Sequence, residues 1–568
     1  MSKKVIIIGA VALGPKVACR LRRIDPDAEI IMIDRDNLIS YGGCGIPYYV
    51  GGDIADIEGL YSTTSHAVRD IEFFRNYKGI EVLSGVEAIR INRKEKKLRI
   101  CHTKDGKEED MDYDKLVIAT GATPVRPPFP GADLPGVFIV SNLHHARAIK
   151  DIISKGQVEK AVVIGAGAIG IEMAEAMTDL WGVETTVIEM ADQILPQALG
   201  RNISRIVENH LKKNDVKLML AEKVIQINGD KKTGLKSVET TQGTIACDLV
   251  IMSAGVKPNT KFAAASGLAV GRSGGILVDR RMKTTDPDIY AGGDCVELRN
   301  LVSGENMTMP LGSLANRQGR IIATNINGGS AHFKGTVGTF CIKVFDMGIA
   351  KAGLTSKQAR ATGYDPVHSV VTQHDRAHFY PSSQLMYIKL IADRKTRRIL
   401  GIEAAGLQGD AIKARVDAVA PMLKDRIDVD EISGLETGYA PPFASAMDII
   451  NNAGNTLDNI LENRNIPIDV IDFIEEFKQG KTRVLDVREP KEAEPFIEKY
   501  NDKWINIPQA QLKERLHELP RNEPLCLLCG TGPRSYEVQL VLRNNGICNT
   551  KNIQGGYGMI MVTDPEFV

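Results

Sequence analysis

Short apolar runs that lead into glycine turns occur twice in the chain. The first run is Val5–Ile8 in KKVIIIGAVALGPKVACRLRRIDPDAEIIMIDRD, and the second is Ala161–Ile164 in EKAVVIGAGAIGIEMAEAMTDLWGVETTVIEMAD. Each pattern predicts a buried parallel strand, a helix and a second strand that ends on an acid, Asp34 or Glu189. Free N–H groups at such a helix start bind a pyrophosphate, and the acid accepts a hydrogen bond from a ribose hydroxyl. The pattern therefore predicts two dinucleotide-binding folds.

The glycine spacing differs between the two copies. Gly9 and Gly14 flank the first turn, but Val11 occupies the middle glycine position, so a ligand-free strand–helix turn remains the alternative there. The second copy has the complete spacing, with Gly165, Gly167 and Gly170. Because a carboxylate at Glu189 suits a free 2′-hydroxyl and repels a 2′-phosphate, this copy favours NADH over NADPH.

Two further segments complete the first fold on either side of the second. YDKLVIATGATP predicts a buried strand that ends in a small-residue turn at Thr120–Gly121. TTDPDIYAGGDC predicts a strand leading to Asp294, and GSLANRQGRIIATNI predicts the helix that follows. An acid at the carboxyl end of such a strand can bind a ribityl chain. The alternative for Asp294 is a helix-capping aspartate.

These four motifs, in this order, resemble the flavoprotein disulfide reductases over residues 1 to about 325. The resemblance implies FAD on the first fold and NAD(P)H on the second. It assigns FAD to Gly9, Val11, Ala12, Gly14, Asp34, Arg35, Thr120, Gly121, Asp294 and Ala315. It assigns NADH to Gly165, Gly167, Ile169, Gly170, Glu172, Glu189 and Gly255. Glu172 would lie near the nicotinamide, and the alternative is a glutamate on a helix surface.

The stretch ISYGGCGIPYYVGG carries one cysteine, Cys44, where dithiol members of the family carry two. Tyr49 stands five positions further on, so no internal disulfide can form here. Cys44 must hold oxidising equivalents as a sulfenic acid, a mixed disulfide or a persulfide. Pro47 predicts a helix that opens just after Cys44, and a thiol at a helix N-terminus has a lowered pKa. The alternative is a buried, inert cysteine.

Single-cysteine members of the family include NADH peroxidases, NADH oxidases and coenzyme A disulfide reductases. Ala12 stands where the peroxide branch has a histidine beside the flavin. HFYPSS and TGYAPPFASAMDIIN are similar to the tyrosine motifs of the coenzyme A branch, which implies that Tyr380 and Tyr439 act across a dimer interface. Without the resemblance both would be packing residues. Gly43 and Met447 depart from the asparagine and lysine of that branch.

Three cations in GPKVACRLRRIDP recur at helical spacing on one face, namely Lys16, Arg20 and Arg23. Together they could bind the phosphates of coenzyme A, and a solvated helix face is the alternative. The resemblance carries these three residues and Ser40 over as ligand positions for coenzyme A.

The pattern restarts after a polar stretch, Asn455–Pro467, which predicts a linker. Short strands then alternate with helices in a segment that resembles a single rhodanese domain. Its active loop would be CGTGPRS, in which backbone N–H groups and Arg534 stabilise a thiolate or persulfide at Cys529. The alternative for Cys529 is a core strand residue.

The remaining cysteines are interpreted as packing residues. Cys526 faces the opposite side of its strand from Cys529, and partners for a zinc site are absent, so no metal is predicted. The other members of this set are Cys19, Cys101, Cys247, Cys295, Cys341 and Cys548. Nine scattered cysteines, an odd number, favour a reducing cytoplasm over a disulfide framework.

Charge and hydropathy give no support for nucleic acid or a membrane as a partner. Lys+Arg and Asp+Glu both number 71, so net charge gives no support for nucleic acid or an acidic membrane as a partner. No apolar window reaches the roughly 18 residues of a membrane span, and the first apolar run is interpreted as a strand rather than a signal peptide.

The predicted architecture is α/β. It comprises an FAD-binding domain (1–120 and 248–328), an NAD(P)H-binding domain (121–247), an α+β dimerisation domain (329–455), a linker (456–466) and an α/β rhodanese domain (467–568). The predicted activity is NADH- and FAD-dependent reduction of coenzyme A persulfide, polysulfide or coenzyme A disulfide at Cys44 in a homodimer. Cys529 would carry or deliver sulfane sulfur. The alternatives are an NADH oxidase or peroxidase that uses a cysteine sulfenic acid, and a low-turnover redox sensor or sulfur carrier.

Overall fold

The computed structural model describes residues 2–232 and 234–567. Met1, Thr233 and Val568 lie outside the described residues. The chain divides into two compact units. The first unit holds the residues up to Met190 and Glu222–Thr336, and the second holds Ala191–Ala221 and the residues from Val337 onward.

A five-stranded parallel sheet forms the centre of the first unit. Its strands follow the order Ile289–Ala291, Lys115–Ile118, Lys4–Ile8, Glu29–Asp34 and Glu81–Ser84. The helices that accompany this sheet are Leu13–Ile24, Ile71–Lys78 and Gly312–Ile326. A further helix, Ile46–Gly51, packs against the helices Leu143–Ser154 and Ala168–Thr178. Ile6 is fully buried at the sheet centre, opposite Ile31 and Leu116. Residues from both ends of the unit therefore meet in one sheet.

A second parallel sheet lies in the same unit. Four of its strands follow the order Glu184–Ile188, Lys160–Ile164, Leu249–Met252 and Val137–Ile139. Its helices are Leu143–Ser154 and Ala168–Thr178, and a short helix, Lys261–Ala265, follows later in the chain.

Smaller antiparallel sheets complete the first unit. Two are three-stranded, with the strands Val86–Asn92, Lys97–His102 and Glu108–Asp112, and the strands Val224–Asp230, Gly234–Thr240 and Gly243–Ala246. Two are pairs, Ala122–Pro124 with Val256–Pro258 and Leu298–Arg299 with Asn306–Met307.

The second unit begins with a five-stranded antiparallel sheet. Its strands follow the order Phe340–Val344, Met347–Gly353, Ile399–Gly406, Leu385–Asp393 and Pro366–His374. The helices of this part are Arg201–Lys213, Ser356–Ala361, Gly409–Val419, Val429–Ser433 and Ile449–Leu461, and a strand, Lys217–Met219, also belongs to the unit. The Gly200 N–H donates to Glu403 Oε2 at 2.8 Å, which fixes the start of the first helix on this sheet.

A five-stranded parallel sheet ends the chain. Its strands follow the order Pro467–Ile468, Thr550–Ile553, Leu525–Leu528, Arg483–Asp486 and Trp504–Asn506. Its helices are Val470–Lys478, Pro490–Tyr500, Leu512–Arg515, Pro533–Asn544 and Gly556–Thr563. In its core, the Phe477 ring packs edge to face against the rings of Trp504 and Phe567, which are tilted relative to each other.

The predicted fold class is confirmed. The predicted helix after Asp294 spans Gly312–Ile326, as expected. The predicted linker is wrong in part, because residues 456–461 belong to the helix Ile449–Leu461. Leu457 and Ile460 of this segment are buried, and that apolar contact holds the polar stretch in a helix. The exact domain bounds stay a prediction. Among the described residues, no helix has the length and apolar character needed to cross a membrane.

Candidate active site

The Cys44 thiol sits in a single 3₁₀ turn, Gly43–Gly45, that leads directly into the helix Ile46–Gly51. Pro47 lies in the first turn of that helix, so the predicted helix start is confirmed. Cys44 is exposed. A Cβ built on Gly43 would meet nothing nearer than Tyr41 Cε2 at 3.8 Å, which leaves open space beside the thiol.

The helix after Cys44 is anchored on the helix Ala168–Thr178. A Cβ on Gly51 would lie 3.2 Å from Ala176 Cα, so the two helices approach closely and leave little room for a side chain here. The Trp181 indole N–H also donates to the Val50 carbonyl oxygen at 2.7 Å. These contacts position Glu172 beside the Cys44 turn, and the Tyr48 hydroxyl donates to its carboxylate.

The prediction of a lowered pKa for Cys44 is wrong. Although the residue as a whole is exposed, the protein atoms packed around the Cys44 thiol remove water from it and raise its pKa, and the carboxylates of Glu172 and Asp294 raise that pKa further. The helix that follows has only six residues, so its weak dipole is outweighed by the two acids. The sequence pattern could not reveal this, because both acids reach the thiol from distant segments.

Both acids near Cys44 are themselves perturbed. Burial, with a smaller effect from Glu175, raises the pKa of Glu172 to about 7, against an opposing hydrogen bond from Tyr48. Burial alone raises the pKa of Asp294 to about 6. Glu172 therefore changes its charge near neutral pH, beside the only thiol of this turn.

The first glycine turn has the shape that a dinucleotide requires. A Cβ on Gly9 would overlap the Ala119 carbonyl, and a Cβ on Gly14 would overlap the Gly9 carbonyl oxygen. The Asp34 carboxylate accepts from the Ala10 N–H at 2.7 Å, and burial raises the pKa of this acid. Gly121, at φ +64°, has no atom within 4 Å of its Cβ position.

The second turn repeats this arrangement. Cβ atoms on Gly165 and Gly170 would overlap the carbonyl oxygens of Ser253 and Gly165, respectively. The Glu189 carboxylate accepts from the Ala166 N–H at 2.8 Å, as Asp34 does in the first turn. A Cβ on Gly167 would meet nothing within 4 Å, and the same holds for Gly255. Both turns thus fit a dinucleotide, and the second has open space at Gly167, where a phosphate would approach.

The other assigned cofactor positions differ in exposure. Ala12 and Arg35 are exposed, Val11 and Thr120 are half-buried, Ala315 is buried and Ile169 is 37% exposed. The Thr120 hydroxyl donates to the Asn259 carbonyl oxygen at 2.8 Å, so it stabilises a turn of the protein itself.

The predicted basic face lies on the helix Leu13–Ile24, and it is larger than its own sequence shows. Burial raises the pKa of the Cys19 thiol, and four cations near that thiol, Lys78, Arg23, Lys16 and Arg69, oppose the shift. Arg69 and Lys78 therefore lie close to the predicted basic face. Sequence reasoning missed Arg69 and Lys78, since only the fold brings them here.

Two more residues of the predicted coenzyme A set have unusual surroundings. The Nε of Arg20 is buried and, among the described residues, has no hydrogen-bond partner. Ser40 is buried in a left-handed conformation at φ +54°, with its N–H donating to the Ala10 carbonyl oxygen. Backbone strain of this kind at a non-glycine residue is typical of ligand sites.

The two predicted tyrosines lie in the second unit on segments that are bonded to each other. The Ala377 N–H donates to the Pro441 carbonyl oxygen at 3.2 Å, and one guanidinium nitrogen of Arg415 donates to the carbonyls of Asp375 and Phe443. Tyr380 is half-buried, and Tyr439 is 53% exposed. Sequence reasoning missed Arg415, which carries no motif.

The Cys529 loop of the C-terminal sheet is closely packed. Cys529 follows the strand Leu525–Leu528 and is 1% exposed, and its Sγ accepts from the Gly532 N–H at 3.0 Å and the Ser535 hydroxyl at 3.3 Å. The helix Pro533–Asn544 begins within the loop, and Arg534 is half-buried on it.

The packing interpretation of the other cysteines holds for some of them only. Cys526 is buried, where its Sγ accepts from Thr482 and burial raises its pKa to about 11. Cys247 and Cys295 are buried as well. For Cys341 and Cys548 the interpretation is wrong, because both are exposed. Cys341 lies on a strand at the sheet edge, and Cys548 lies between a helix and the strand Thr550–Ile553.

The class of protein is indicated by the two glycine turns, the single thiol at Cys44 and the Cys529 loop. The chain belongs to the pyridine nucleotide-disulphide oxidoreductase family, whose pattern matches residues 3–319. The dimerisation domain of that family matches residues 339–449, and a rhodanese-like domain matches residues 469–560. The protein is therefore an oxidoreductase with FAD and NAD(P)H as cofactors, and the dimerisation domain indicates a homodimer.

Several relatives and solved structures are similar to the chain over most of its length. A Pyrococcus abyssi protein named "NAD(P)H sulfur oxidoreductase (CoA-dependent)" is 34% identical over 79% of this chain and 96% of its own length. A solved NAD-dependent persulfide reductase from A. fulgidus has a TM-score of 0.92 and 37% identity, covering 99% of this chain and 100% of that one. Reduced CoADR-RHD from Bacillus anthracis has a TM-score of 0.90 and 32% identity, covering 100% and 99%.

Proposed function

We propose that the protein reduces sulfane sulfur carried on coenzyme A, with electrons from NADH, at the single thiol Cys44. One observation carries the proposal. The Cys44 turn has space and acids around it but no second cysteine, so the reacting sulfur has to arrive on another molecule. The names of the relatives, a CoA-dependent sulfur oxidoreductase and a persulfide reductase, support the same substrate class.

The chemistry at Cys44 balances with one carrier thiol released and one sulfide formed. The Glu172 carboxylate takes the proton of the Cys44 thiol, and the resulting thiolate attacks the outer sulfur of coenzyme A persulfide. A new S–S bond forms, and coenzyme A leaves as its thiolate. Two electrons and one proton then cleave the Cys44 persulfide to the thiolate and hydrogen sulfide. When bound, FAD supplies the electrons by passing them from NADH to sulfur.

The residues of this chain bind, orient and protonate. Asp34 and the turn at Gly9 would hold FAD, while Glu189 and the turn at Gly167 would hold NADH. Glu172, with its pKa of about 7, can hold the proton that the departing sulfide needs.

The basic cluster on the helix Leu13–Ile24 would bind the phosphates of coenzyme A. Lys16, Arg20 and Arg23 carry fixed positive charge on one helix face, and the unpaired buried Nε of Arg20 supports an anionic partner for it. Ser40 would add a hydroxyl from the neighbouring loop.

A phenol from the second subunit would complete the site. Tyr380 and Tyr439 of the partner subunit would donate hydrogen bonds to the leaving thiolate, and the exposure of Tyr439 in a single chain supports a partner that covers it. Cys529 would accept sulfane sulfur from a donor and present it to a carrier thiol, with Arg534 adding positive charge near the loop.

Two substitutions test these separate roles. Cys44→Ser should abolish NADH-driven sulfide release while FAD remains bound, as seen in the flavin absorption spectrum. Cys529→Ser should spare the reduction of coenzyme A persulfide but stop transfer from thiosulfate. If Cys44→Ser still releases sulfide, the proposed chemistry is wrong. Equal loss of both activities in Cys529→Ser would contradict separate roles.

A further inference from the structure

The Ser535 hydroxyl lies between the Cys529 thiol and a buried amide. Its oxygen is 3.3 Å from Cys529 Sγ and 2.7 Å from Asn552 Oδ1, and the Gly532 carbonyl oxygen lies at 3.0 Å. Ser535 is fully buried, and Asn552 is 4% exposed. One hydroxyl proton therefore has three acceptors within reach.

Asn552 is held so that its carbonyl faces the serine. It lies on the strand Thr550–Ile553, and its amide nitrogen donates to Asn465 Oδ1 and the Gly532 carbonyl oxygen, both at 3.4 Å. Asn465 is buried as well. This framework leaves Asn552 Oδ1 as a fixed acceptor, while Cys529 Sγ is an acceptor whose strength depends on what the sulfur carries.

The charge on Cys529 Sγ changes when sulfur is loaded. A thiolate is charged and accepts strongly from the Gly532 N–H and the Ser535 hydroxyl, whereas the inner sulfur of a persulfide is neutral and accepts weakly. When Cys529 carries sulfur, the Ser535 hydroxyl donates to Asn552 Oδ1, which is the nearer acceptor. The buried hydroxyl therefore keeps a hydrogen-bond partner in both states.

We propose that the Ser535 hydroxyl is a catalytic group whose single proton alternates between Cys529 Sγ and Asn552 Oδ1, so that the loop favours release of sulfur from Cys529. The proposal rests on the proposed function of Cys529 as a sulfur carrier. Asn552 is then the positioning residue for this hydroxyl.

The release step balances as follows. An acceptor thiolate attacks the outer sulfur of the Cys529 persulfide, which keeps its proton, and a new S–S bond forms. The bond between the two sulfurs of the persulfide breaks, and its electron pair stays on Cys529 Sγ. The Ser535 hydroxyl turns from Asn552 to this thiolate. The loop thereby makes Cys529 a better leaving group, and the domain acts as a donor of sulfur rather than a store.

The test measures how far Cys529 is loaded at equilibrium. The full-length protein, without NADH, is incubated with mixtures of glutathione persulfide and glutathione, and the loaded fraction of the Cys529 peptide is measured by mass spectrometry. Ser535→Ala removes a hydrogen bond to a charged sulfur, so the loading constant should rise about tenfold. Ser535→Thr keeps the hydroxyl and should stay near the wild type.

Replacing Asn552 should change the loading constant of Cys529 in the opposite direction. Asn552→Ala removes the acceptor that serves the loaded state, so the loading constant should fall, by less than the rise in Ser535→Ala because the Gly532 carbonyl remains in reach. Thr482→Val is the matched control, since that hydroxyl lies at the same 3.3 Å from the Sγ of the neighbouring buried Cys526. It should leave loading of Cys529 unchanged.

Three results would overturn the inference: Ser535→Ala loads like the wild type, Ser535→Ala and Asn552→Ala shift in the same direction, or Thr482→Val shifts as much as Ser535→Ala. Failure of the proposed carrier role looks different, because wild-type Cys529 would then not be persulfidated at all.

Discussion

Replacing Glu172 with glutamine should change how the stability of the protein depends on pH. The ordinary pKa of this carboxyl is 4.5, and burial raises it to about 7 in the folded protein. That difference corresponds to roughly 3 kcal/mol of the free energy of unfolding. Below pH 4.5 the carboxyl is protonated in both states and nothing is lost. As pH rises towards 7 the unfolded state ionises first, so the folded state loses stability, fully so above pH 7.

The assay is the melting temperature of the FAD-loaded enzyme between pH 4.5 and 8.5. Glu172→Gln carries no proton to lose, so it should match the wild type near pH 4.5 and melt several degrees higher at pH 8. Glu175→Gln is the intermediate case, because it removes a charge that raises the pKa of Glu172 and should lessen the pH dependence without abolishing it.

A second readout links this charge to the reacting thiol. Because the Glu172 carboxylate raises the pKa of Cys44, Glu172→Gln should speed alkylation of Cys44 by iodoacetamide at pH 7.5 to about 8, measured on the Cys44 peptide. A difference in melting temperature that is the same at every pH, together with unchanged alkylation, would show that the charge on Glu172 affects neither the stability nor Cys44 in this way.

Three further outcomes follow from the glycines and the tyrosine. Gly170→Ala should lower the melting temperature and the affinity for NADH, because the new Cβ overlaps the Gly165 carbonyl oxygen. Gly167→Ala should fold normally and raise KM for NADH, and an equal loss of melting temperature in both variants would contradict this. Gly43→Asn should leave the melting temperature unchanged, since the nearest atom to the new Cβ, Tyr41 Cε2, is 3.8 Å away. The same variant should lower KM for coenzyme A persulfide, and a lower melting temperature would contradict the open space beside Cys44. Tyr439→Phe should lower kcat about tenfold with the dimer intact in light scattering, and an unchanged kcat would argue against a role for the phenol.

The nucleotide turns were predictable because their chemistry is local. Gly165 and Gly170 are five positions apart, and the contact that requires a glycine is made between them, so the spacing itself records the geometry. The same holds for Pro47, which sets the start of the helix that follows Cys44.

The electrostatics of the site depend on tertiary packing and were not predictable. Glu172 and Asp294 approach Cys44 only because the close contact of Gly51 with Ala176 and the strand order of the first sheet bring them together. The pKa of Cys44 is consequently raised, whereas the sequence predicted a lowered pKa.

The polar pattern also misled at the predicted linker. Asn455 to Leu461 looks polar in sequence, yet Leu457 and Ile460 recur at helical spacing and are buried. Two apolar residues on one face were enough to keep the segment helical.

In the proposed function, Cys44 takes sulfur from a carrier thiol. The most direct test is a stopped-flow experiment under anaerobic conditions, in which the NADH-reduced enzyme is mixed with coenzyme A persulfide or, in parallel, with hydrogen peroxide. We expect fast reoxidation by coenzyme A persulfide with release of sulfide, slow reoxidation by peroxide, and no persulfide reaction in Cys44→Ser. Faster reoxidation by peroxide than by the persulfide, or sulfide release from Cys44→Ser at the wild-type rate, would contradict the proposed function.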